Sequence, residues 1–132
     1  MNDLLLDTCA LIWLAKGIEL KAEAREAIVE KDLHVSPITA WEIANLVRKN
    51  RIGLALPVVT WFRQAIDRME AALPDLSAEI LCGSCFLPGA PPDDPADRII
   101  IATARHQDLA IVTRDHAILA YSQAGHVRTL AC

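Results

Sequence analysis

No stretch of the 132-residue sequence approaches the roughly 18 consecutive apolar residues needed to span a membrane. The opening Met1-Asn2-Asp3-Leu4-Leu5-Leu6-Asp7 has no basic segment and carries two acids, which excludes a secretory leader and predicts a cytoplasmic protein. Cations are in the minority, with 13 Lys plus Arg against 17 Asp plus Glu and a net charge of −4. That balance excludes a protein that holds nucleic acid by bulk electrostatics alone. No Gly-rich phosphate loop occurs, and no Ser–His or Cys–His pair stands at a recognisable spacing, which removes the P-loop and nucleophilic hydrolase classes. Cysteine is sparse: Cys9, Cys82, Cys85 and Cys132. Cys82-Gly83-Ser84-Cys85 is a C-x-x-C without a second pair or a nearby His to complete a zinc site, and without the strand setting of a redox dithiol. The thiols are therefore expected to be free and buried.

What the chain does have is apolar mass. Hydrophobic residues make up 53% and charged residues 23%, a globular composition, and the length suits one domain over residues 1–132. Leu4-Leu5-Leu6 and Leu33-His34-Val35 are short apolar runs expected of strands buried on both faces of a parallel sheet, as are Leu109–Val112 and Val127–Leu130. Leu73–Leu76 is expected to be briefly extended. Helices are predicted over Thr8–Leu14, Lys21–Lys31, Ile38–Lys49 after a Ser36-Pro37 start, Pro57–Ala72, Ser77–Leu81, Pro95–Gln107, and from Asp115 through Tyr121. Strands alternating with helices suggest a parallel sheet with helices on both faces, the carboxyl ends of its strands sharing one rim.

Acidic residues recur at that rim. Asp7 follows the first strand, Glu42 lies in the helix after the second, Asp97 opens the helix before the Leu109 strand, and Asp115 follows that strand. Each has an ordinary explanation: Asp7, Asp94 and Asp115 fit helix N-caps, Asp97 suits the positive end of the helix dipole, and Thr39-x-x-Glu42 could be a capping box. The Ser36-Pro37 start, however, puts Glu42 in the second turn, where capping fails and a carboxylate among apolar residues needs a partner or a metal. Caps on separate helices need not converge, whereas these would. Carboxylates gathered without His or Cys select a hard divalent cation, Mg²⁺ or Mn²⁺, which can activate a water against a phosphodiester. Arg48, Lys49, Arg51, Arg98 and Arg114 are candidate phosphate contacts around such a site, and Trp13, Trp41, Trp61 and Tyr121 candidate exposed contacts for a partner chain.

Leu4-Leu5-Leu6-Asp7-Thr8-x-Ala10-Leu11-Ile12-Trp13, Trp41-Glu42-Ile43-Ala44, Asp94-Pro95-x-Asp97-Arg98-x-Ile100-Ile101-Ala102-x-Ala104 and Val112-Thr113-x-Asp115 stand in the order and spacing of a known family. The chain resembles the PIN-domain ribonucleases, and among them the VapC toxins of bacterial toxin–antitoxin pairs, over essentially its whole length. The resemblance implies a three-layer α/β/α sandwich with a mostly parallel sheet and Mg²⁺-dependent endoribonuclease activity, often on structured RNA such as tRNA. It further implies a homodimer, neutralisation by a cognate VapB-type antitoxin, and a higher heteromer with it. Carried over by position, it makes Asp7 and Asp97 the principal metal ligands. Glu42 and Asp115 would act through waters or a second ion, with Thr8 and Thr113 as supporting hydroxyls and Asp94 as the cap that fixes Asp97. Cys9 stands where many relatives carry His, and Ala96 where a large aromatic is usual, which bears on substrate contacts and local packing respectively. A receiver domain or a haloacid-dehalogenase-like enzyme is disfavoured, since Asp7 lacks a paired acid and no Lys follows Lys49. The remaining rival is a PIN-like module that grips RNA or protein without cutting.

Overall fold

The computed structural model describes residues 3–132. Its elements follow in the order β1 (Leu4–Leu6), α1 (Thr8–Ala15), α2 (Ala22–Glu30), β2 (Leu33–Val35), α3 (Pro37–Arg48), α4 (Val58–Met69), α5 (Ala78–Cys85), α6 (Pro95–Gln107), β3 (Ala110–Thr113), α7 (His116–Gln123) and β4 (Arg128–Ala131). The four strands form one sheet in the order β2-β1-β3-β4, every pair parallel.

Strand alternation builds two cores. Leu4 and Leu6 of β1, Val35 of β2 and Ala110 and Val112 of β3 point to one face, where they meet Ala10 and Leu11 of α1, Ala24 and Ala27 of α2, Ile43 of α3 and Phe62 of α4. Leu5 and its register partner Ile111 point to the other, against Ile100, Ile101 and Ala104 of α6 and Ile118 and Tyr121 of α7. The architecture is thus an α/β/α sandwich. Because β1 and β3 are buried on both sides, an unbroken apolar run such as Leu4-Leu5-Leu6 is what they need.

The helix starts are chemically explicit. Ser36 caps α3, its hydroxyl accepting from the Ile38 N–H at 3.2 Å, with Pro37 as first helical residue. Thr39 is then inside the helix and fully buried, so the capping-box account of Glu42 is excluded.

Several boundaries differ from expectation for identifiable reasons. Helix α4 stops at Met69 rather than Ala72, because Glu70 turns left-handed (φ 51°) and releases the chain toward the sheet. Ala72 then bridges to His34 of β2, and Leu73–Leu76 forms no strand. Helix α5 runs on to Cys85, so the C-x-x-C lies in its last turns, and Cys9, Cys82 and Cys85 are exposed; Cys132 alone of the four is buried. Tyr121 is buried, its hydroxyl donating to the Pro88 carbonyl, and is no candidate for an exposed contact; of the tryptophans, Trp41 is exposed and Trp13 and Trp61 are half-buried.

Tyr121, at 2% exposure, fastens the 86–92 loop to α7. Tyr121→Phe should cost about 1 kcal/mol in urea unfolding, and Leu5→Ala, which empties the centre of the second core, roughly 2–5 kcal/mol.

Candidate active site at the carboxyl rim of the sheet

Because all four strands run the same way, the residues following β1, β2 and β3 emerge along one edge. Asp7 ends β1 and caps α1, accepting from the Ala10 N–H at 2.8 Å. Asp115 ends the β3 connection and caps α7, accepting from the Ile118 N–H at 2.9 Å, while its own N–H donates to the Thr113 hydroxyl at 2.9 Å. Asp94 caps α6 through the Asp97 N–H at 3.0 Å, which places Asp97 in the first helical turn. Glu42 comes from the second turn of α3 and is held by the Thr8 hydroxyl of α1, itself 3.3 Å from the Thr39 hydroxyl. Thus the capping roles read from sequence are real for Asp7, Asp94 and Asp115, and they coexist with convergence.

Burial and the neighbouring acids together raise the carboxyls at this rim. Loss of hydration, followed by the charges of Asp94, Asp115, Glu42 and Asp7, pushes the Asp97 carboxyl up to about 7. Burial also raises Glu42, with Asp94 and Asp7 adding to it against the relief of the Thr8 hydrogen bond. Asp7 is raised by burial too, and Thr113 and the Ala10 N–H oppose that rise. Even the Cys9 thiol, which reaches solvent, is pushed up to about 11, by lost hydration first and then by Asp7, Glu42, Asp97 and Asp115. Among the described residues the ion pairs are Arg25–Glu19 and Arg128–Asp108, neither of which neutralises a rim acid.

A cation fits this donor set. Glu42, Asp94 and Asp97 each offer a carboxylate oxygen, all within 4.8 Å of one another. Oxygen donors of this kind suit a hard divalent ion, and its charge offsets the repulsion that raises Asp97. Of the acids expected from sequence this trio holds Glu42 and Asp97, while Asp7, expected as a principal ligand, and Asp115 lie outside it; Asp94 is the addition, its capping role having accounted for it completely. The available signal was the D-x-x-D spacing, which sets two carboxylates at N-cap and N3 on a single turn.

The arginines beside the acids are spoken for. Arg98 donates from Nε to the Ser84 carbonyl and from Nη1 to the Pro92 carbonyl, both at 3.1 Å, and so ties the end of α5 and the loop ahead of α6 to the first turn of α6. Arg114 lies 4.1 Å over the Trp13 ring and donates from Nε to the Cys132 carbonyl at 2.8 Å and from Nη2 to the Glu19 carbonyl at 3.3 Å. Both side chains are fastened within the fold rather than standing free for phosphate. Arg48, Lys49 and Arg51 are exposed beyond the C-terminal end of the α3 core stripe, with Arg48 bonded from Nε and Nη2 to Asn45.

Comparison with known proteins identifies the fold and the family. Residues 4–123 match the family model of the PIN domain. Over 120 residues the chain is 34% identical to Ribonuclease VapC22 of Mycobacterium tuberculosis (strain ATCC 25618 / H37Rv), covering 89% of this chain and 91% of that protein. A toxin–antitoxin complex from Klebsiella pneumoniae contains a chain 25% identical with a TM-score of 0.59, covering 86% of this chain and 87% of the other. A DNA-bound VapBC crystal structure from Salmonella typhimurium shares the fold at 18% identity and a TM-score of 0.65, over 99% and 98% of the two chains.

The raised carboxyls set a pH dependence. A folded-state pKa above the unfolded value means that the folded chain binds protons more tightly, so this contribution to stability is present below the unfolded pKa and is lost as pH rises through the folded one. For Asp97 that window runs from the ordinary 3.8 up to about 7. Without divalent ions, thermal unfolding should therefore show stability falling as pH rises from 3.8 to about 7 and levelling off above it, and Mn²⁺ should remove most of the loss. Asp97→Asn, which deletes the repelled charge, should stabilise the metal-free protein by about 1 kcal/mol at pH 8, discounted heavily for partial exposure, while abolishing the Mn²⁺ effect.

Proposed function

The chain belongs to the PIN-domain family, and on that premise we propose that it is a Mg²⁺-dependent endoribonuclease toxin, with Mn²⁺ able to substitute, that is neutralised by a cognate VapB-type antitoxin. The observation that carries this reading is the approach of Glu42, Asp94 and Asp97, whose carboxylate oxygens lie within 4.8 Å of one another, with Asp7 and Asp115 from two further stretches of chain close enough for their charges to act on Asp97 and, among the described residues, no ion pair to any of the five. Metal dependence follows from the family and the donor set; the choice of Mg²⁺ rests on hard oxygen ligands and a phosphodiester substrate.

In this reading Asp97, Asp94 and Glu42 hold the ion, with Asp7 and Asp115 completing the acidic hollow directly or through water. Bound there, a divalent ion supplies charge stabilisation at the phosphoryl group and a water of lowered pKa for in-line attack. The chain's own contribution is preorganisation. Thr8 fixes the Glu42 carboxylate, Thr113 and the Ala10 N–H fix Asp7, and the three N-cap bonds lock Asp7, Asp94 and Asp115 to the ends of rigid helices. Arg48, Lys49 and Arg51 are the exposed cations proposed to receive flanking phosphates; Arg48 lies six residues beyond Glu42 on α3, about 9 Å along the helix axis. Structured RNA such as tRNA, action in the cytoplasm, a single domain over the full length and a homodimer joined by antitoxin into a larger complex complete the proposal. The antitoxin assignment is supported by the Klebsiella relative, which is itself part of a toxin–antitoxin complex.

The test is cleavage of total cellular RNA with Mg²⁺, with EDTA, and with single substitutions. Asp7→Asn and Asp97→Asn should each lower the rate by about 100-fold or more, because Asn preserves the shape and, at position 7, the cap while removing the ligand charge. Undiminished cleavage by both would defeat the site, and a wild type that binds RNA without cutting in Mg²⁺ would establish the non-catalytic module instead. Arg48→Ala should raise KM several-fold with little change in kcat if it contributes only phosphate binding.

A further inference from the structure

The C-x-x-C is the one sequence motif that the acidic hollow does not use. Cys82 and Cys85 are both exposed, three residues apart in the last turns of α5, and Cys85 is its final helical residue. Helical geometry sets their Cα atoms about 5 Å apart, inside the span a disulfide accepts. Their Cβ atoms, roughly 5–6 Å apart at this spacing, must come about 1 Å or more closer before the sulfurs can bond. That movement falls on the two residues between them. Gly83 has open space where a Cβ would stand, so no packed neighbour at that point opposes its movement. Ser84 does not move alone: its carbonyl accepts from Arg98 Nε, and Arg98 Nη1 holds the Pro92 carbonyl two residues ahead of Asp94. The chain from the cysteines to the acids is therefore short and continuous: the Gly83-Ser84 backbone, the Arg98 guanidinium, the Pro92 loop, the Asp94 cap and Asp97.

We propose that Cys82 and Cys85 form a dithiol modification site that takes a small organic disulfide, of the oxidised-glutathione class, and that closing it loosens the Arg98 clamp on the metal-holding turn. The effect on activity rests on the reading of Asp94 and Asp97 given above; the modification itself does not. In the first step one cysteine thiolate attacks the small disulfide, forming a mixed disulfide and releasing one small thiol. In the second the neighbouring thiolate attacks the protein sulfur of that bond, forming Cys82–Cys85 and releasing the second small thiol. Two protein thiols are oxidised, one small disulfide is reduced to two thiols, and the two cysteine protons end on the leaving thiolates. A ring closed against helical geometry is strained and readily reduced, the property of a reversible rather than a structural disulfide.

The full chain is treated with oxidised glutathione, its remaining thiols are alkylated, and it is mapped by mass spectrometry, with RNA cleavage and Mn²⁺ affinity measured before treatment, after it, and after dithiothreitol. The expected result is a Cys82–Cys85 peptide lighter by two hydrogen atoms, with cleavage and Mn²⁺ affinity each lowered about fivefold and restored by reduction. Cys82→Ser and Cys85→Ser should keep the reduced-state rate and lose the response. Both variants retain Cys9, so a loss of activity that persists in them arises elsewhere and overturns the proposal. Absence of the linkage overturns it too, as does linkage with cleavage and Mn²⁺ affinity unchanged. If the reduced wild type cuts no RNA, the nuclease reading fails separately, and Mn²⁺ affinity alone decides whether the dithiol acts on the acidic turn.

Discussion

Repulsion among like charges is the constraint on which the rest of this molecule turns. Five carboxylates share one rim, and burial first, then the charges of the other four, lift Asp97 to about 7. A fold can carry such a group only if something rigid opposes its dispersal. Here the opposition is covalent topology and capping. The parallel register of β1, β2 and β3 delivers Asp7, Ser36 and Asp115 to one edge, and the N–H groups of Ala10, Asp97 and Ile118 each bind one oxygen of a neighbouring Asp. A carboxylate has two oxygens, so capping with one leaves the other available. The helix ends supply partial positive charge to each of these acids, which lowers the cost of assembling them before any ion binds.

That dual use explains which parts were legible in the sequence. The strands Leu4–Leu6 and Leu33–Val35, the Pro95–Gln107 helix and the acids at 7, 42, 97 and 115 could be placed because the signals are local: apolar runs, Pro at the first helical position, an acid directly after a strand. Asp94 was harder, since its cap explained it fully and its approach to Glu42 depends on how α3 packs across the molecule. The end of α4 is not legible in the sequence because Glu70, an ordinary helix former, adopts a left-handed conformation that only the return to β2 rewards. The thiols were expected to be buried on composition, but the extension of α5 to Cys85 carries two of them to the surface.

Cation placement follows from the same economy. Arg98 and Arg114 sit beside Asp97 and Asp115 in sequence, and a positive neighbour able to swing into the hollow would compete with a metal. Instead their guanidinium groups are committed to the carbonyls of Ser84, Pro92, Glu19 and Cys132, and Arg114 is further fixed against Trp13. They brace the loops that present the acids without neutralising them. On the loop side Gly89 completes the bracing, since its positive φ of 69° lets the backbone lie against the His126 ring where any side chain would collide. The acidic hollow is in this sense a product of the neutral carbonyls around it, which occupy the cations that would otherwise close it.

The small bridge at Ala72 has a meaning beyond joining a loop to a sheet. A parallel sheet has two outer strands, and each exposes backbone groups that can recruit a foreign strand. On β2 the Val35 N–H donates to the Ala72 carbonyl at 2.9 Å and the Ala72 N–H donates to the Leu33 carbonyl at 2.8 Å. A single residue therefore masks that border, and the left-handed turn at Glu70 is what lets it do so. The opposite border, β4, has no such mask among the described residues and is defended only by its brevity and the charge of Arg128. Crowding and misassembly would consequently act on the two sides of this protein unequally, with β4 the flank from which aggregation begins.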